Sequence, residues 1–159
     1  MNLYLVQHGE AVIKEVDPVR PLSEQGRRDV DKVAQFVARN GEVKVNHLYY
    51  SGKLRARQTA EIIAAALNIP PPVQSDGLAP LDDPLPWAVQ LDEGGEDTML
   101  VGHLPHLGKL AGVLLCDDAE AEPVLFRMGG MVALQGDAGV WALRWMVIPD
   151  IIPQVLAQS

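Results

Sequence analysis

Three short, uninterrupted apolar runs, at residues 3–6, 48–50 and 99–101, constrain the fold of this chain most strongly. A run without polar alternation suits a strand buried on both faces, as in a parallel sheet covered by helices on each side. Helical periods lie between the runs. Ser23 can cap a helix whose apolar stripe is Val30, Val33, Ala34 and Val37. A second helix begins near Lys53 and carries Ala56, Ala60, Ile63, Ala64 and Leu67 on one face. A third begins at Pro105, a residue suited to a first turn, and runs through Leu107, Leu110, Ala111 and Leu114. A weaker helix is expected over 86–91. Residues 132–134 and 141–147 read as two more strands, joined as a hairpin around Gly136-Asp137-Ala138-Gly139. Strands alternating with helices predict an α/β fold, a three-layer α/β/α sandwich with a mostly parallel central sheet.

The 159 residues fit one domain spanning 1–159 around one core. Pro70-Pro71-Pro72 reads as a stiff connection and residues 76–86 as an ordered surface loop. Gly129-Gly130 reads as a turn, and the three tryptophans as core. The single cysteine, Cys116, rules out an intrachain disulfide, and its setting after Leu114-Leu115 predicts a buried apolar role. The opening residues lack the basic start and long apolar run of a signal peptide, and no stretch approaches the ~20 apolar residues of a membrane span. A cytoplasmic location is expected, with no membrane partner. The net charge of −8 argues against a nucleic-acid surface, so an anion site must be a local basic pocket. Nothing in the sequence sets the oligomeric state, and a monomer is compatible with it.

Ligands of open α/β sheets bind beyond the carboxyl ends of the strands. Three such ends carry chemistry here: Gln7-His8-Gly9-Glu10, Ser51-Gly52-Lys53-Leu54-Arg55 and Gly102-His103-Leu104-Pro105. If the strands are parallel, His8, Arg55 and His103 meet at one edge. Helical side chains lean toward the helix N-terminus, so Arg55 points back at that edge, where free N–H groups add attraction for an anion. Arg57, about 200° further round the helix, faces elsewhere and reads as a solvated surface residue. His47 stands at a strand start, on the opposite edge. His106, in a first helical turn, reads as packing or surface. Either His8 or His103 alone would pass for a structural residue or a cap; the pair with Arg55 argues for a site.

These residues resemble the histidine phosphatase superfamily, which includes the phosphoglycerate mutases. Its N-terminal signature is Arg-His-Gly, matched here by Gln7-His8-Gly9. Residues 19–26 (VRPLSEQG) resemble its second block, residues 51–60 (SGKLRARQTA) its third, and Gly102-His103-Leu104-Pro105 its fourth. The short chain and compact spacing look like the SixA-type branch of small bacterial phosphohistidine phosphatases. The resemblance implies a phosphoglycerate mutase-like sheet and a covalent role for His8 as the phosphoryl-accepting nucleophile. It implies that Arg55 and His103 hold the phosphoryl oxygens, with Arg20 nearby. Gly9 would let the backbone approach closely behind the nucleophile.

The residue types suit that chemistry. A neutral imidazole is a good nucleophile near pH 7, and arginines give bidentate contacts to phosphate. No metal or other cofactor is implied, and the sequence has no His-x-x-x-His or cysteine cluster to hold a metal. Two departures stand out. Gln7 replaces the family arginine at a phosphate-binding position, a loss of about ten- to a hundredfold if one contact to a charged group is worth roughly 1.5–3 kcal/mol. The carboxylic acid that mutases use for an alcohol leaving group has no clear counterpart; Asp82 and Asp83 are candidates that read more simply as a solvated loop. A missing acid suits an imidazole leaving group, hence a phosphorylated protein such as a histidine phosphotransfer domain. Two alternatives stay open: an enzyme on small phosphate esters, and a pseudophosphatase that binds phosphorylated partners without turnover.

Overall fold

A computed structural model describes residues 1–40 and 42–153. Its six-stranded sheet comprises β1 (Asn2–Gln7), β2 (His47–Tyr50), β3 (Val73–Gln74), β4 (Thr98–Gly102), β5 (Met131–Asp137) and β6 (Val140–Val147), in the spatial order β3-β2-β4-β1-β5-β6. β1 and β2 both pair in parallel with β4, and β3 in parallel with β2. β5 runs antiparallel to both of its neighbours. The sheet is therefore mostly parallel, as the apolar runs predict. The hairpin closes through Ala138 and Gly139, whose φ values of 50° and 79° are those of the turn that matches strand twist.

Four helices cover the two faces: α1 (Glu24–Asn40), α2 (Leu54–Leu67), α3 (Leu85–Asp92) and α4 (His106–Cys116). Period-two alternation sorts the strand side chains. Tyr4, Val6, Met99 and Val101 pack with the α1 and α2 stripes on one face. Leu3, Leu5 and Leu100 pack with α3 and α4 on the other. The result is the α/β/α sandwich. Ser23 caps α1 as expected, accepting the Gly26 N–H at 3.0 Å. Trp87 and Trp141 are buried, and Trp145 is partly so.

Two expectations change, and one strand is added. Cys116 is exposed rather than buried. The α4 stripe facing the sheet runs through Leu110 and Leu114, and Cys116, two residues on, turns to the outer side at the helix end. In β2 only Leu48 is fully buried, because its outer neighbour β3 is just two residues long and shields little. β3 itself follows Pro70-Pro71-Pro72 and is too short to leave a periodic signal.

Candidate active site

The parallel register brings the three strand ends together. Gln7 pairs with Gly102, Tyr50 pairs with Val101, and the His8 N–H donates to the Gly102 carbonyl at 3.0 Å. The His8 and His103 rings follow directly, with centroids 4.8 Å apart and planes tilted by 51°. Both are buried, at 9% and 1% exposure.

His8 is held in one tautomer. Its Nδ1–H donates to the Gly9 carbonyl at 2.7 Å, and a carbonyl can only accept. Burial pushes its pKa down to about 4; that hydrogen bond is the next largest influence and opposes the shift, and the Arg55 and Arg20 charges add smaller downward contributions. The ring is therefore neutral at pH 7, with its lone pair on Nε2.

Gly9 is required by close approach. A Cβ there would lie 2.7 Å from a Val30 methyl and 3.0 Å from the Gly26 carbonyl. Gly26 returns the constraint, since its Cβ would sit 2.0 Å from the Glu10 carbonyl. The strand end behind His8 thus lies directly on the first turns of α1.

Arg55 stands in the first turn of α2, with a buried Nε that has no hydrogen-bond partner among the described residues. Burial, then the Arg20 guanidinium, lowers its pKa from the usual arginine value. Arg20 reaches the same place from a loop closed by an Ala11–Leu22 bridge and a 2.9 Å Val12 N–H to Pro21 carbonyl bond. Its Nε–H donates to the Val12 carbonyl at 3.1 Å, and its backbone is left-handed, at φ 49°. Two cations are thus gathered with no carboxylate among the influences acting on either histidine of the pair.

His103 is also neutral, its pKa pushed down to about 3 by burial first and then by His8, Arg55, Lys53 and His106. Gln7 is buried at the same strand end; its backbone carbonyl accepts the Gly129 N–H at 3.0 Å, and its Oε1 has no partner among the described residues.

The other polar residues fall outside this group. Arg57 turns away and pairs with Glu61 at 2.7 Å on the surface. His47, on the opposite edge, stacks on Tyr49 and lies 3.5 Å from Glu96. His106 is fully buried as a packing residue; burial lowers its pKa against the opposing pull of Asp82 and Asp83. Asp82 accepts the Ala79 N–H at 2.9 Å and Asp83 the Leu85 N–H at 3.0 Å, the loop roles expected of them. Two participants escape the sequence reading. Ser51 bonds to His103, and Thr59 joins Gly9 to the first turn of α2. The position of Thr59, one turn after Arg55, was the available signal.

The profile of the histidine phosphatase superfamily (branch 1) matches residues 3–82, half of the chain, including His8, Arg20 and Arg55. The chain belongs to the histidine phosphatase superfamily. It is 38% identical over 118 residues to an uncharacterized protein of a Picosynechococcus species, covering 70% of this chain and 71% of that protein. It is 26% identical over 156 residues to the phosphohistidine phosphatase SixA of Escherichia coli, covering 94% of each. The solved structure of the protein histidine phosphatase SixA complexed with tungstate is similar at a TM-score of 0.83 and 25% identity, covering 94% of this chain and 98% of that one. Within the superfamily the likeness is to the SixA-type branch. No helix among the described residues is long and apolar enough to cross a membrane.

Proposed function

We propose that this protein hydrolyses phosphohistidine on a protein, such as a histidine phosphotransfer domain, through a phosphoryl intermediate on His8. The observation that carries the reading is the neutral His8 ring, its Nδ1–H tied to the Gly9 carbonyl and its Nε2 left as the nucleophile among His103, Arg55 and Arg20. The likeness to SixA supports the substrate class, and tungstate, bound in the SixA structure, is a tetrahedral oxyanion like phosphate. A cytoplasmic location goes with this reading.

In the first step the Nε2 lone pair attacks phosphorus. The P–Nε2 bond forms as the substrate P–N bond breaks, and the leaving imidazole, protonated at its other nitrogen, departs neutral. No general acid is needed, in keeping with the loop roles of Asp82 and Asp83. His8 keeps its Nδ1 proton on the Gly9 carbonyl, so the phosphorylated ring is a cation and a good leaving group. In the second step water attacks phosphorus, the P–Nε2 bond returns its electrons to Nε2, and both water protons leave on dihydrogen phosphate. Arg55, Arg20 and the His103 ring stabilise the phosphoryl oxygens, the main task in such transfers. The left-handed backbone of Arg20 costs roughly 1–2 kcal/mol, strain of a kind that gathers at functional sites.

The test is phosphate release from a phosphorylated histidine phosphotransfer protein, acetyl phosphate and an aryl phosphate ester, each with and without EDTA. The expected result is EDTA-insensitive turnover that is fastest on phosphohistidine. Gln7, buried and uncharged at the position of the family arginine, favours a second reading: a binder of phosphorylated partners. Binding of the phosphoprotein with no release from any substrate would select it.

A further inference from the structure

We infer that Ser51 is a positioning residue that fixes the tautomer of His103 and so turns the Nδ1–H of that ring into a donor for the phosphoryl group. Ser51 follows β2 directly and is 2% exposed. Its Oγ and the His103 Nε2 are joined by a short hydrogen bond of 2.5 Å. The direction of that bond follows from what else the hydroxyl does. The Lys53 N–H donates to the same Oγ at 3.4 Å, so that oxygen already serves as an acceptor. If His103 also donated to it, the buried hydroxyl proton would be left without an acceptor, a costly arrangement. The hydroxyl therefore donates to Nε2. The neutral ring then carries its proton on Nδ1, which is buried and has no partner among the described residues.

The two histidines thus hold the same tautomer and use it in opposite senses. In His8 the Nδ1–H is occupied by the Gly9 carbonyl and the Nε2 lone pair is free. In His103 the Nε2 lone pair is occupied by Ser51 and the Nδ1–H is free. One ring can attack phosphorus while the other donates to an oxygen on it, with neither ring charged. If His103 took the other tautomer, it would present a lone pair to an anion.

The role of this donor rests on the phosphatase reading; the tautomer does not. Nitrogen-15 spectra of the histidine rings test the tautomer without any substrate, the His103 signals being identified by their loss in His103→Asn. Wild-type protein and Ser51→Thr, which keeps the hydroxyl, are expected to show His103 protonated at Nδ1. Ser51→Ala is expected to shift the ring toward Nε2–H and to weaken vanadate inhibition about tenfold, with rescue by Ser51→Thr. A wild-type His103 protonated at Nε2, or a Ser51→Ala ring unchanged from wild type, would overturn the inference. Absence of vanadate binding in the wild type, with the tautomer as stated, would instead count against the phosphatase reading.

Discussion

The backbone N–H of Gly9 donates to the hydroxyl of Thr59 at 3.0 Å, and that hydroxyl donates in turn to the Arg55 carbonyl at 2.8 Å. One buried side chain therefore ties the strand end bearing His8 to the helical turn bearing Arg55. Thr59→Val keeps the shape and leaves the Gly9 N–H without a partner, at a cost of about 1–3 kcal/mol. For a chain of this size each kcal/mol lowers Tm by roughly 2–4 °C. Thr59→Ser should restore most of the loss. Thermal melts of the three proteins check this, and an unchanged Tm in Thr59→Val would mean that the bond contributes little.

The depressed histidine pKa values set the pH dependence. The nucleophile is neutral His8, which is protonated only as pH falls toward about 4, well below the ordinary 6.5. The acid limb of kcat/KM should therefore lie below pH 6.5, and activity should persist at pH 5.5. Stability runs in the same direction. The unfolded chain takes up protons below its ordinary histidine pKa while folded His8 and His103 do not, so stability is full above about 6.5 and falls as pH drops, toward about 4 for His8 and about 3 for His103. A kcat/KM profile with its acid limb at or above 6.5 would contradict the neutral, desolvated pair.

Arg20→Gly separates charge from backbone. Glycine accepts the φ of 49° and relieves roughly 1–2 kcal/mol, partly offset by loss of the bond to the Val12 carbonyl. Stability should stay within about 1 kcal/mol of wild type while kcat/KM falls about ten- to a hundredfold, the effect of losing one charged contact. Paired denaturation and rate measurements check both halves. A variant that is equally active would remove Arg20 from the site.

Much of the fold was legible because its determinants are local. Apolar runs of three or four residues gave three of the four parallel strands, and the stripes Val30-Val33-Ala34-Val37 and Leu107-Leu110-Ala111-Leu114 gave two helices with their buried faces. The meeting of His8, Arg55 and His103 followed from parallel strands having their carboxyl ends on one edge. What stayed hidden depends on contacts between distant segments. Ser51 and His103 are 52 positions apart, and Gly9 and Thr59 are 50, so neither bond leaves a periodic trace. Cys116 differs for the opposite reason: its neighbours Leu114 and Leu115 point to burial, but helical rotation puts it on the outer face.

Gln7 offers a gain-of-function test. Its buried amide leaves Oε1 without a partner among the described residues, at the strand end beside His8. Gln7→Arg replaces neutral donors with a charged fork, and should tighten vanadate inhibition about tenfold if the new contact is worth about 1.5 kcal/mol. The rate should rise less, since a ground-state contact is not automatically a transition-state contact. Inhibition constants for both proteins at one salt concentration provide the check. An unchanged constant in a folded variant would mean that position 7 does not reach the phosphoryl group.

The central claim is that His8 Nε2 forms a bond to phosphorus, and trapping that bond tests it most directly. Protein mixed briefly with a radiolabelled phosphohistidine substrate and quenched in base should carry label that acid releases, characteristic of a phosphoramidate. Peptide mapping should place the label on His8, and His8→Ala should abolish both labelling and turnover. Label on another residue, or undiminished hydrolysis by folded His8→Ala, would contradict the account.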